Sequence, residues 1–166
     1  GYIRNKIISK YHMGGTNYSP IINKIVSDCT GWVPTGAAPE EKKGFFGSLF
    51  GKKEEPKSLI ENLPKPLENP VYVIFITDGE NSDSDKRAAK QAIINASRFG
   101  IFFQFVGIGS ERFEFLQKLD DLGGRVIDNA NFFKINDVSS KSDEDLYKLL
   151  LTEFPGWIPQ AKAKNL

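Results

Sequence analysis

The sequence predicts an α/β fold with a mainly parallel sheet, and three observations lead there. The run Val-Tyr-Val-Ile-Phe-Ile-Thr-Asp-Gly, from Val71 to Gly79, is almost wholly apolar and rich in β-branched and aromatic residues, as in a strand covered on both faces. Ile-Phe-Phe-Gln-Phe-Val-Gly-Ile, from Ile101 to Ile108, repeats that character, and Asn131–Ile135 adds a third, shorter strand. Stretches of helical period separate them. Strand and helix alternating in this way imply parallel strands joined by right-handed crossovers. Such sheets gather ligands at the carboxyl ends of their strands, and the first strand delivers Asp78 there.

Taken in order, Tyr2–Tyr11 carries Ile3, Ile7 and Tyr11 at helical spacing. Met13–Ser19 is a loop that turns into a helix, with Ser19 as N-cap and Pro20 at the first helical position. Ile21, Ile22, Ile25, Val26 and Cys29 form one apolar face of that helix. Between Thr30 and Pro70 the pattern dissolves: six of the nine prolines fall here, with the charge clusters Lys42-Lys43 and Lys52-Lys53-Glu54-Glu55. Residues 30–70 read as an irregular, mobile insertion within a single domain spanning 1–166. Inside it, Phe45–Phe50 is either a membrane- or partner-docking turn or a segment whose aromatics fold back on the domain.

After the first strand, a helix is expected at about Asp85–Phe99. Asp83 or Asp85 is its cap, Ala89, Ala92, Ile93 and Ala96 its inner face, and Gly100 its stop. Gly107 and Gly109 read as tight packing between strand and helix. Ser110 is expected to cap a helix carrying Phe113, Leu116 and Leu119 and ended by Gly123-Gly124. Ser142-Asp143-Glu144-Asp145 opens a last helix with Leu146, Leu149, Leu150 and Phe154, stopped at Pro155.

Composition narrows the function. With 166 residues and 40% hydrophobic content the chain is sized for one cored domain. A net charge of +1 gives no field that points to nucleic acid or an anionic membrane. Cys29 stands alone, so neither a disulfide within the chain nor a cysteine zinc cluster is available, and a small core residue is its ordinary role. No apolar run approaches the roughly 18 residues of a membrane span, and a reducing, cytoplasmic setting is the expectation. The chain opens on Gly1 and its one methionine is Met13, which reads as a piece of a longer protein.

Catalysis finds little support, and the expectation is that the chain is not an enzyme. His12 is the single histidine, placed in a loop, so Ser-His or Cys-His chemistry rests on one residue. Aspartyl phosphate chemistry at Asp78 needs a lysine and a second acidic cluster at other strand ends, and those ends read Gly107–Ser110 and Lys134–Asp137. Gly107-x-Gly109 lacks the remainder of a phosphate loop. Asp78–Asp83 departs from a calcium loop in its glycine position and lacks the distal glutamate. Metal-assisted binding fits better. A hard cation such as Mg²⁺ takes oxygen ligands and often only one or two carboxylates. Asp78 supplies charge, and Thr16, in Gly-Gly-Thr-Asn before a helix, supplies a hydroxyl. Each residue taken singly has an ordinary alternative, helix capping for Thr16 and turn stabilisation for Asp78.

Gly14-Gly15-Thr16-Asn17-Tyr18, followed by Phe75-Ile76-Thr77-Asp78-Gly79, resembles the second and third motifs of the metal-ion-dependent adhesion site of von Willebrand factor A (vWA) domains. The ending Leu150–Trp157 and the Phe-Phe-Gly insertion are similar to the bacterial tellurium-resistance (Ter-type) branch, which also resembles copine A domains. The resemblance runs through most of Met13–Leu166. It implies a Rossmann-like three-layer fold, of which this chain is the C-terminal portion, and a non-catalytic interaction module in a bacterial stress or tellurium-resistance setting. By resemblance, Thr16 and Asp78 hold Mg²⁺ or another divalent cation (Mn²⁺, Ca²⁺) for a partner's carboxylate. Gly15, Asn17, Gly79, Glu80 and Asp83 border that site. The family's first motif, Asp-x-Ser-x-Ser after a preceding strand, is absent. Its absence leaves Val71–Thr77 as a sheet edge, to be completed by an N-terminal chain or by a second copy. A metal-free interaction domain is the alternative, and a phosphotransfer domain using Asp78 a more distant one.

Overall fold

A computed structural model describes residues 16–34 and 67–166. The expected helix at Tyr2–Tyr11, His12, Gly15 and most of the 30–70 insertion, Phe45–Phe50 included, lie outside these residues. The described elements are α1 (Ser19–Thr30), β1 (Val71–Thr77), α2 (Lys86–Ala96), β2 (Ile101–Ile108), α3 (Glu114–Asp120), β3 (Ala130–Ile135), a 3-10 turn at Val138–Ser140, α4 (Asp143–Leu150) and α5 (Phe154–Ala163).

The three strands form one parallel sheet in the order β1-β2-β3. Val71 pairs with Ile101 and Thr77 with Gly107, while Phe103 pairs with Ala130 and Ile108 with Ile135. This register brings the carboxyl ends of the strands to one end of the sheet. Strand alternation sends Phe75, Phe103, Phe105 and Ala130 to one face. There they join Tyr18, Ile22 and Val26 of the α1 segment, Ala89, Ala92, Ile93 and Ala96 of α2, and Leu116 and Leu119 of α3 in the main core. On the other face Phe102 packs with Trp157 and Ala161 of α5, and Tyr72 and Phe154 border that smaller cluster. The central strand β2 is buried from Ile101 to Gly107, which explains why its sequence barely alternates. Its one polar residue, Gln104, is fully buried and exchanges hydrogen bonds with Asn131 on β3, side chain and backbone.

The outer side of β1 differs. Ile74 is 46% and Ile76 62% exposed, on the face that α5 covers only near Tyr72. Among the described residues no strand pairs with that edge.

Several helix boundaries depart from the sequence expectation, each for a physical reason. Ser19 is the first residue of α1 rather than its cap, and the N-cap position, Tyr18, makes no side-chain capping bond. Gly31, at φ 72°, closes α1 with its N–H on the carbonyl of Ser27, the left-handed turn glycine makes at least cost. Asp85, one of the two expected caps, occupies the N-cap position of α2, but its side chain makes no capping bond there. Ser110 is exposed, and α3 follows Phe113, a non-glycine residue at φ 51°, and ends at Asp120, before the Gly123-Gly124 pair. Gly107 makes that turn possible, because a Cβ there would lie 2.8 Å from the Phe113 ring. The expected last helix is two helices. Ser142 caps α4 as expected, accepting from the Asp145 N–H, but α4 ends at Leu150. Pro155 then lies in the first turn of α5 instead of stopping a helix, the position where its missing N–H costs nothing.

Cys29 packs partly buried against the main core. Burial, helped by Asp28, pushes its thiol pKa up and disfavours the reactive thiolate. Among the described residues no helix is long and apolar enough to cross a membrane.

Candidate functional site at the carboxyl end of β1

The loop before α1 and the loop after β1 meet. Thr16 forms an isolated parallel bridge with Asn81, and the Ser82 N–H donates to the Thr16 carbonyl at 2.8 Å. Asn17 accepts a hydrogen bond from the Ser82 hydroxyl. The hydroxyl of Thr16 lies against Gly79, where a Cβ would stand 2.9 Å from its oxygen. Gly79 therefore serves close approach rather than an unusual backbone angle. Gly79→Ala is expected to displace the Thr16 hydroxyl and cost about 1–2 kcal/mol. Denaturant titration reads that cost, and faster hydrogen exchange at the Ser82 amide reports loosening of the bridge.

Beneath this junction sits a buried polar group. Asp85, 8% exposed, accepts from the N–H groups of Tyr18 and Ser19 at 2.8 and 2.9 Å and from the Ser19 hydroxyl. It caps α1, not its own helix, across 66 residues of sequence. Burial raises the Asp85 pKa, but the hydrogen bonds from the Ser19 hydroxyl and from the Ser19 and Tyr18 backbone outweigh it and hold the carboxyl below the ordinary aspartate range. Tyr18 is fully buried against Phe75, Phe105 and Phe115, and its hydroxyl donates to the Gly79 carbonyl at 2.5 Å. Burial pushes its phenol pKa up, opposed by the Thr77 hydrogen bond and aided by the charges of Glu80 and Asp78, so the phenol stays a donor.

The residues expected to border the site divide. Asp78 is exposed at the strand end. Glu80 turns away from it and accepts from the Phe115 N–H at 3.0 Å, so it serves the start of α3. Asp83 is exposed and pairs with Lys86 at 2.8 Å, which lowers the Asp83 pKa and raises that of Lys86. The structure thus brings Thr16 against Gly79 and Asn81 and joins Asn17 to Ser82, with Asp78 exposed next to Gly79 in the chain, while Glu80 and Asp83 are engaged elsewhere. Sequence reasoning missed the roles of Tyr18, Asn81 and Asp85. One signal was present: Tyr18-Ser19-Pro20 opens a helix beside an apolar run, and an acid-rich loop follows β1.

A three-stranded parallel sheet with helices packed on both faces, and two loops that meet at its strand ends, defines a Rossmann-like α/β fold. The family described as the vWA found in the TerF C terminus matches residues 11–166. The chain belongs to this TerF-type vWA family. It is also 43% identical over 122 residues to the uncharacterized protein YcbR of Bacillus subtilis (strain 168), a match covering 70% of this chain and 49% of that protein. The chain thus spans about half the length of the curated relative it matches.

Proposed function

We propose that the chain is a non-catalytic, metal-ion-dependent protein-interaction module of a bacterial tellurium-resistance or stress-response protein. The observation that carries this reading is the joining of the Thr16 loop to the Asp78–Gly79 turn at the strand ends. The family's name supports the tellurium setting, and the single cysteine agrees with a reducing cytoplasm.

The donor set suits the cation. Among the described residues no three His, Cys, Asp or Glu side chains cluster as a metal cage. One carboxylate and one hydroxyl match instead a hard ion such as Mg²⁺ or Mn²⁺ that keeps several waters. Thr16 and Asp78 would hold it, and Gly79, bare of a side chain, keeps the Thr16 hydroxyl close. The bound ion would supply Lewis acidity toward a carboxylate on a partner protein. The open edge of β1, with Ile74 and Ile76 beside it, is the second contact. A strand from the part that longer relatives carry, or from a second copy of this chain, would pair there and cover both side chains.

Calorimetric titration with Mg²⁺ and Mn²⁺ tests the reading. Saturable binding is expected, weakened at least tenfold (about 1.4 kcal/mol) in Asp78→Ala. Binding that survives in Asp78→Ala would remove Asp78 from the site. No binding to the unaltered chain would leave a metal-free interaction module that works through the β1 edge.

A further inference from the structure

We propose that Tyr18 and Asp85 are positioning residues that set the spacing of Thr16 and Asp78 from beneath the site. The inference rests on the reading that those two residues hold a cation. No described hydrogen bond joins Asp85 to either of them. Asp85 instead accepts from the backbone N–H groups of Tyr18 and Ser19 through Oδ2 and from the Ser19 hydroxyl through Oδ1, fixing the chain two residues after Thr16. The Tyr18 ring is wedged between Phe75, Phe105 and Phe115, with centroid distances of 5.1, 6.5 and 6.0 Å, so its hydroxyl has little freedom. That hydroxyl reaches the Gly79 carbonyl at 2.5 Å, and Thr77 Oγ1 lies 3.4 Å from it. Thr77 Oγ1 in turn accepts from the Gly79 N–H at 3.2 Å and donates to the Gly79 carbonyl at 3.0 Å.

The result is one connected path: Asp85 carboxylate, Tyr18 backbone, Tyr18 phenol, Gly79 carbonyl. It ties the residue after Asp78 to the segment that carries Thr16. Because Tyr18, Thr77 and Asp85 are all buried, these bonds are made in a low-dielectric setting where a lost partner is not replaced by water. The two loops therefore hold their places before any ion arrives. Preorganised ligands bind more tightly because less ordering remains to be done on binding.

The test uses the full 166-residue chain. Tyr18→Phe keeps the ring and deletes the hydroxyl, and Asp85→Asn keeps the shape and deletes the charge. Ile93→Val, in the main core but outside the path, controls for a general loss of stability. Without metal, the amides of Gly79 and Ser82 are expected to exchange about tenfold faster in the two path variants than in the control, as local opening becomes easier. With Mn²⁺, the same two variants are expected to bind about tenfold more weakly while Ile93→Val binds as the unaltered chain does. Exchange equal to the control would overturn the path. Faster exchange with unchanged Mn²⁺ affinity would overturn its positioning role. Faster exchange in a chain that takes up no Mn²⁺ would support the path and sink the cation reading separately.

Discussion

Asp85→Ala is expected to lower stability by about 3 kcal/mol, since one buried carboxylate serves three donors and its loss strands the Ser19 N–H and leaves the Tyr18 N–H only its 3.2 Å bond to Asn81 Oδ1. For a chain of this size that corresponds to a fall in Tm of roughly 10 °C. The effect has a pH signature. The folded Asp85 pKa lies below its unfolded value, so its contribution is fully present above about pH 4 and is lost as pH falls through the depressed folded value. Acid titration of stability should therefore be shallower in Asp85→Ala than in the unaltered chain. Identical acid limbs would mean that the carboxylate is not held as the geometry shows.

Trp157→Ala is expected to cost about 4 kcal/mol, the range for deleting a buried aromatic. Trp157 is 3% exposed, with Phe102 and Phe154 at ring distances of 5.4 and 5.8 Å, and it anchors α5 to the second face of the sheet. Its indole Nε1 has no hydrogen-bond partner among the described residues. Trp157→Phe removes that unpaired donor along with some volume, so the two effects offset and a change within about 1 kcal/mol is expected. Urea denaturation of both variants checks the pair. A large loss in Trp157→Phe would point to a partner for Nε1.

The strands were legible to within a residue. β1 and β2 match their expected limits, and β3 begins at Ala130 rather than Asn131. Long apolar runs in a parallel sheet have few alternative placements, and the inner face of α2 at Ala89, Ala92, Ile93 and Ala96 was readable for a similar reason. Helix ends were less so. Ser142 caps by local bonding, which spacing reveals, whereas Asp85 caps a helix 66 residues away, which no local pattern encodes. Glu80 is a second case: next to Asp78 it reads as part of an acidic site, yet its carboxylate goes to the Phe115 N–H. Pro155 misled because a proline near a helix end suits a stop and a start equally well. At the site, the meeting of Thr16 with Gly79 was conceivable from the sequence, but the phenol that pins it was not, since no local pattern links the Tyr18 hydroxyl to a carbonyl 61 residues away.

The long-range cap at Asp85 also bears on how this domain can change over evolutionary time. It fastens the segment before α1 directly to the start of α2, so the stretch between residues 34 and 67 need not transmit their relative placement. The entropic cost of closing a connecting loop grows only with the logarithm of its length, about 0.6 kcal/mol for each doubling. Set against the several hydrogen bonds of the clasp, that is small. Lineages can therefore lengthen, shorten or replace that stretch while inheriting the same strand-end geometry.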